Sequence, residues 1–185
     1  MDATPTTIAY LGLGSNLGDR LSALRGAVAA LESHSGIALD ARSDVSSVYE
    51  SAAFCGPSGQ PDYLNSVLRI RTTLTPLGLL DAILTVESAL GRVRPERWGP
   101  RVIDIDLLLF GALTIDDPRL VVPHPRMHER RFVLEPLREI APNWIHPVLR
   151  VTIDELAKGL ESPDDTADLR RIVGPEWCAP IAATA

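Results

Sequence analysis

Val102-Ile103-Asp104-Ile105-Asp106-Leu107-Leu108-Leu109-Phe110 is an apolar run interrupted by two acids at alternate positions. Its length and its branched residues predict a strand buried on at least one side. Side chains alternate between the faces of a strand, which puts Asp104 and Asp106 on one face and Ile103, Ile105, Leu107 and Leu109 on the other. Two carboxylates held that close repel each other. Beside a core they persist only if a proton, arginines or a divalent cation neutralises them. Magnesium does so with hard oxygen ligands, taking one or two carboxylates and completing its shell with water and substrate phosphates. Two acids on a solvated strand face, each paired with an arginine, satisfy the same requirement.

Working outward, the chain immediately before this strand carries Arg92, Arg94, Arg97 and Arg101 with one acid among them, Glu96. The forked guanidinium matches phosphate oxygens, so an arginine loop ending where an acid pair begins points to an anion site. Further upstream, Thr75 and Pro76 predict the start of a helix with an apolar face of Leu80, Ile83, Leu84 and Leu90, closed by Gly91. Glu87 projects from that face and calls for a partner, with Arg92 or Arg101 nearest in sequence. Leu64, Leu68 and Ile70 alternate with polar residues in a strand, and Val45 to Glu50 predicts another. Residues 51–62, with two glycines and two prolines, form a loop. Ile8 to Gly14 reads as a buried strand ending in a tight turn. A helix follows, capped by Asp19, with Leu21, Leu24, Val28 and Leu31 at helical spacing and Gly36 as its stop. Downstream, a helix covers about residues 131–140 and a short one follows Thr152. The order strand–helix–strand–strand–helix–strand is that of an α+β ferredoxin-like sandwich, a mainly antiparallel sheet with helices packed on it and long loops carrying the chemistry. The domain is expected to span residues 1–160. Residues 161–185 form a partly loose tail that Trp177 can dock.

Composition narrows the function. With a net charge of −6, the chain is poorly suited to broad capture of nucleic acid or anionic membrane. No apolar run approaches the roughly 20 residues that span a bilayer. Two distant cysteines, Cys55 and Cys178, offer neither a disulfide framework nor a zinc site and fit a reducing cytoplasm, with Cys55 a filler rather than a nucleophile. An RNA-recognition domain shares the strand order but needs exposed aromatics and a basic face, and the chain has nine aromatic residues in all. The glycines of Gly12-Leu13-Gly14-Ser15-Asn16-Leu17-Gly18 miss the dinucleotide fingerprint by one residue, and no Gly-Lys-Ser/Thr phosphate loop occurs. A nucleotide therefore has to be held by side chains and metal. His124 lies between two prolines, outside any helix, in a second basic stretch with Arg126, His128, Arg130 and Arg131. Trp98 sits inside the arginine loop where no core period calls for it. With Tyr63, Phe132 and Asn65 it provides ring faces and an amide suited to a flat heterocycle.

Four stretches, GLGSNLG (12–18), QPDYLN (60–65), GRVRPERWGPRVIDIDLLLF (91–110) and VPHPRMHERRFVL (122–134), resemble the 6-hydroxymethyl-7,8-dihydropterin pyrophosphokinases of folate biosynthesis. The likeness runs from about residue 8 to 147. It implies the α+β sandwich and a reaction in which the pterin hydroxymethyl oxygen attacks the β-phosphorus of ATP and releases AMP. It further implies that Asp104 and Asp106 hold two magnesium ions. Arg92, Arg94, Arg101, Arg119, His124 and Arg130 would contact the nucleotide, with Arg92 and Arg101 catalytic. Asn65 would bond to the pterin, Tyr63 and Phe132 would sandwich it, Gly56 would line the pocket and Trp98 would close over it. The expected partners are these two small molecules, with no nucleic acid or membrane, acting on a monomer. Paired aspartates also serve nucleotidyl transferases with a palm-like fold, where attack falls on the α-phosphorus.

Overall fold

Ten consecutive residues with alternating faces, Tyr63–Thr72, make the central strand of the sheet. The computed structural model describes residues 5–40, 43–53, 59–91, 100–161 and 169–178. In chain order these contain β1 (Thr7–Ser15), α1 (Arg20–Glu32), β2 (Ile37–Ala38), β3 (Val48–Ser51), β4 (Tyr63–Thr72), α2 (Pro76–Ala89) and β5 (Asp104–Phe110). A small hairpin of β6 (Ile115–Asp117) and β7 (Leu120–Val122) follows, then α3 (Arg131–Ile140), α4 (Ile153–Gly159) and β8 (Leu169–Val173). The larger sheet has the order β5-β1-β4-β3-β8, with β2 also beside β4. Its pairings are all antiparallel. The four strands β5-β1-β4-β3 reproduce the expected ferredoxin-like sandwich. No helix among the described residues is long and apolar enough to cross a membrane.

Local chemistry explains the helix ends. Asp19 accepts the Ser22 N–H at 3.0 Å and Thr75 accepts the Gly78 N–H at 3.1 Å, each satisfying a donor the first turn leaves free. Thr152 and Glu155 cap α4 reciprocally. α1 stops at Glu32 with Ser33 as its cap, three residues before Gly36. The buried stripe of α2 runs through Leu79, Ala82, Ile83 and Val86. Leu80 and Leu84, expected on the apolar face, flank it half-buried.

The sheet buries both faces. Leu11, Leu13, Leu68, Ile70, Ile105 and Leu107 meet α1 and α2 in one cluster. Tyr10, Val67, Leu108 and Leu109 meet α3 and α4 in another. Leu109 thus lies on the opposite face from the one expected, because β5 carries a bulge. Tyr10 pairs with Leu109 but the next residue, Leu11, pairs with Leu107. Leu108 is the extra residue, and beyond it the alternation changes phase.

The described residues 169–178 continue the fold. β8 pairs with β3 at the sheet edge, and Trp177, 2 % exposed, sits in the first cluster. The docking expected of Trp177 is therefore accompanied by a strand that residues Leu-Arg-Arg-Ile-Val did not announce.

Glu87 is 1 % exposed and its Oε1 accepts the Ile105 N–H at 2.7 Å, between the two acids of β5. A buried N–H stripped of its acceptor costs about 1–3 kcal/mol. Glu87→Ala is expected to lower unfolding stability by that amount in urea titrations, whereas Glu87→Gln, which keeps an acceptor, should lose less. Equal losses for the two would show that this bond is not what the carboxylate supplies.

Candidate active site

β1 runs through Gly12 and Gly14, as expected of the strand from Ile8 to Gly14, and ends one residue later at Ser15. Both glycines lie in the ladder, opposite Asp106 and Asp104 on one side and Val67 and Asn65 on the other. Neighbours close over the missing side chains. A Cβ on Gly12 would lie 3.4 Å from Leu108, and one on Gly14 would lie 3.5 Å from Tyr63 and 3.7 Å from Asn65 Oδ1. The alternate glycines thus clear a floor between β4 and β5, an arrangement that sequence reasoning missed. The signal was there: glycine at every second position inside a strand marks close approach of another group.

Above this floor opens a cleft of about 230 Å³. Asp104, Asp106, Arg101, His124, Arg130, Tyr63, Asn65 and Phe132 all line it, as do Ser51 and Ala52, which sequence reasoning also missed. Four of the expected residues, Gly56, Arg92, Arg94 and Trp98, lie outside the described residues. Arg119 is placed elsewhere. It sits in the β6–β7 turn, half exposed, paired with Asp81 of α2, and does not line the cleft.

The acids share one face, as strand alternation requires. The Arg101 guanidinium contacts Asp104 Oδ1 at 2.5 Å. Asp106 Oδ2 lies 4.0 Å from Arg130 and 3.9 Å from His124 Nε2. Burial against the sheet, and then the charge of Asp104, push the Asp106 carboxyl up to about 7. His124 is carried to this position by the bulge, since its N–H donates to Leu108 O at 2.9 Å. Its Nδ1 accepts the Arg126 N–H at 3.3 Å, so Nε2 holds the proton and faces Asp106. Burial, reinforced by Arg130, lowers the imidazole to about 4 and keeps it neutral at neutral pH.

Asn16, 1 % exposed, ties the cleft's two flanking loops together. Its Oδ1 accepts the Arg101 N–H at 2.7 Å, and its Nδ2 donates to Gln60 Oε1 at 3.3 Å and Pro61 O at 3.2 Å. Asn65 Nδ2 donates to Ser51 Oγ at 2.9 Å, which leaves Oδ1 on the side of the Gly14 floor. Arg130 lies 5.8 Å from the centre of the Phe132 ring.

No group of three His, Cys, Asp or Glu that could hold a metal occurs among the described residues. Two adjacent carboxylates with a cavity in front of them fit instead an ion that draws its remaining ligands from water and phosphate. Magnesium meets that description, whereas a closed structural zinc site does not.

The model of the 7,8-dihydro-6-hydroxymethylpterin-pyrophosphokinase family matches residues 10–142. The chain is 44% identical over 159 residues to the 2-amino-4-hydroxy-6-hydroxymethyldihydropteridine pyrophosphokinase of Synechocystis, covering 86% of this chain and 77% of that protein. It is 50% identical over 139 residues to the enzyme of the same name from Methylorubrum extorquens, covering 75% and 85%. Among solved structures, the Plasmodium falciparum HPPK-DHPS crystallised with pterin and p-hydroxybenzoate superposes with a TM-score of 0.71 at 18% identity, which shows a shared fold. The match covers 93% of this chain and 47% of that one, so the chain spans about half the length of that protein.

A carboxyl whose folded pKa lies above its usual value binds protons better in the folded state. The stabilisation this brings is complete below about pH 4 and is lost as pH rises through about 7. The Asp106 side chain is 42 % exposed, so the effect is smaller than for a sealed acid. With a chelator present, Asp106→Asn should melt higher than wild type at about pH 8, and the difference should close toward about pH 4. A pH-independent difference would contradict the charge crowding on β5.

Proposed function

The chain belongs to the 7,8-dihydro-6-hydroxymethylpterin-pyrophosphokinase family, and we propose that it performs that family's reaction at the cleft over β1, β4 and β5, with ATP as donor and magnesium as metal. It is a pyrophosphokinase of folate biosynthesis that transfers pyrophosphate to hydroxymethyldihydropterin. The observation that carries the site assignment is the pair Asp104 and Asp106, side by side on one strand face and turned into a cleft ringed by Arg101, Arg130 and neutral His124.

In this proposal the heterocycle lies between Tyr63 and Phe132, with Asn65 at its edge, and the triphosphate lies toward β5. Asp104 and Asp106 would hold the metal, which would supply neutralisation of phosphate charge and polarisation of the β-phosphorus. Arg101 and Arg130 compensate the two acids in the free protein and, among the described residues, are the arginines that line the cleft and suit phosphate oxygens. His124 offers an Nε2–H donor without a charge to titrate. The hydroxymethyl oxygen forms its bond to the β-phosphorus while the bond from that phosphorus toward the α-phosphate breaks, releasing AMP and the hydroxyl proton. Positioning and charge neutralisation supply most of the rate in such transfers. Arg92, Arg94, Trp98 and Gly56 join the proposed site on their sequence match. Arg119 joins it on the same footing; in the free protein its exposed guanidinium pairs with Asp81, a surface contact weak enough to yield to a phosphate. The enzyme is taken to work as a cytoplasmic monomer, in line with its two distant cysteines and acidic balance.

Product analysis tests the reaction. AMP is expected from ATP and hydroxymethyldihydropterin, and release of pyrophosphate would instead identify nucleotidyl transfer. Asp104→Ala and Asp106→Ala should each lower turnover by about a hundredfold or more while keeping the far-ultraviolet spectrum of wild type. Activity within about tenfold of wild type would contradict metal ligation by that residue.

A further inference from the structure

The matched family region ends at residue 142, yet the chain beyond it reaches back to the wall of the cleft. Two attachments make the connection. At one end, β8 pairs with β3, with Leu169 opposite Ser51. Ser51 Oγ is the acceptor that holds the Asn65 amide, and both residues are buried. At the other end, the Trp177 indole N–H donates to Ser46 O at 2.8 Å, and Arg25 Nε fixes Trp177 O at 2.7 Å. Ser46 substitutes for a ladder residue against β4. Its N–H donates to Val67 O at 2.9 Å, its Oγ accepts the Val67 N–H at 2.8 Å, and that Oγ lies 3.0 Å from Ser66 Oγ. Ser51, Asn65, Ser66 and Val67 all line the cleft.

We propose that the segment Leu169–Cys178 is a positioning element for the pterin side of the site, clamping residues 46 and 51 so that Asn65 and the adjoining stretch of β4 meet the heterocycle in a fixed geometry. This rests on the reading that the pterin lies beside Asn65. Residues 46–51 carry only a four-residue strand, β3, and without β8 that strand would be the sheet edge. A short edge strand keeps its register poorly when one side is unpaired. Pairing by β8, a buried indole and the bond to Ser46 O remove that freedom before substrate arrives, and preorganisation of this kind appears as affinity. The acids of β5 lie at the far edge of the sheet and owe nothing to the segment. Its effect is therefore confined to one substrate.

Trp177→Phe keeps the ring in the core and removes only the N–H bond to Ser46 O. Calorimetry with 6-hydroxymethylpterin in the presence of magnesium and a non-hydrolysable ATP analogue should show its dissociation constant raised about three- to tenfold, the size of one lost hydrogen bond. The nucleotide constant, measured alone, should stay within about twofold. Ending the chain after residue 161 should raise the pterin constant further with the same selectivity. If that shortened chain fails to fold, Trp177→Phe decides alone. An unchanged pterin constant in Trp177→Phe, or a proportional loss of both ligands, would overturn the positioning role. Failure of the wild-type protein itself to bind the pterin would instead overturn the function reading on which it rests.

Discussion

Two like charges held on adjacent same-face positions of β5 are the constraint around which the rest of the molecule is arranged. The strand cannot relieve the repulsion by rotating one acid away, because the intervening Ile105 is buried on the helix side and its N–H is taken by Glu87. Relief has to come from outside the strand. Arg101 arrives from the preceding loop, and Arg130 from the start of α3. The pair remains under-compensated at Asp106, whose carboxyl stays near neutrality in its proton affinity. A protein optimised for stability alone would replace such a pair with apolar residues. Keeping it is intelligible if a divalent cation and a triphosphate complete the charge balance during function.

The cleft in front of the acids depends on two backbone devices. Gly12 and Gly14 remove side chains from β1, so the floor between the acids and Asn65 is bare backbone. The bulge at Leu108 turns its carbonyl toward the segment after β7 and carries His124 to the edge of the acid pair. There burial and Arg130 hold the imidazole neutral, so a hydrogen-bond donor is added to an already cationic rim without another full charge. Together they leave the acid pair, His124 and Asn65 facing one cleft.

Much of this was legible in the sequence because it follows from periodicity and charge. The alternation in residues 102–110 placed the acids on a shared face. The caps at Asp19, Thr75 and Thr152 fixed helix starts, and the order of elements gave the sandwich. What escaped depends on pairing between distant segments. Strict alternation put Leu109 on the wrong face because a bulge is a property of two strands, β1 and β5, and not of one. The strand was read through Gly14, but what the missing side chains of Gly12 and Gly14 make room for lies on β4 and β5 and has no local signature. β8 escaped because its buried content is only partial, with Arg170, Arg171 and Ile172 exposed on an edge strand. The pairing of Arg119 with Asp81 of α2 escaped because it joins segments 38 residues apart.

The central claim, that the acid pair on β5 is the metal seat, is open to direct test by nuclear magnetic resonance. Manganese added with a non-hydrolysable ATP analogue broadens the amide signals closest to the ion. The account predicts that Gly12 and Gly14, directly across the ladder from Asp106 and Asp104, broaden first, together with Ile105. Broadening centred instead on a different acid pair, such as Asp116 and Asp117 of the β6–β7 hairpin, or the absence of any localised effect, would contradict it.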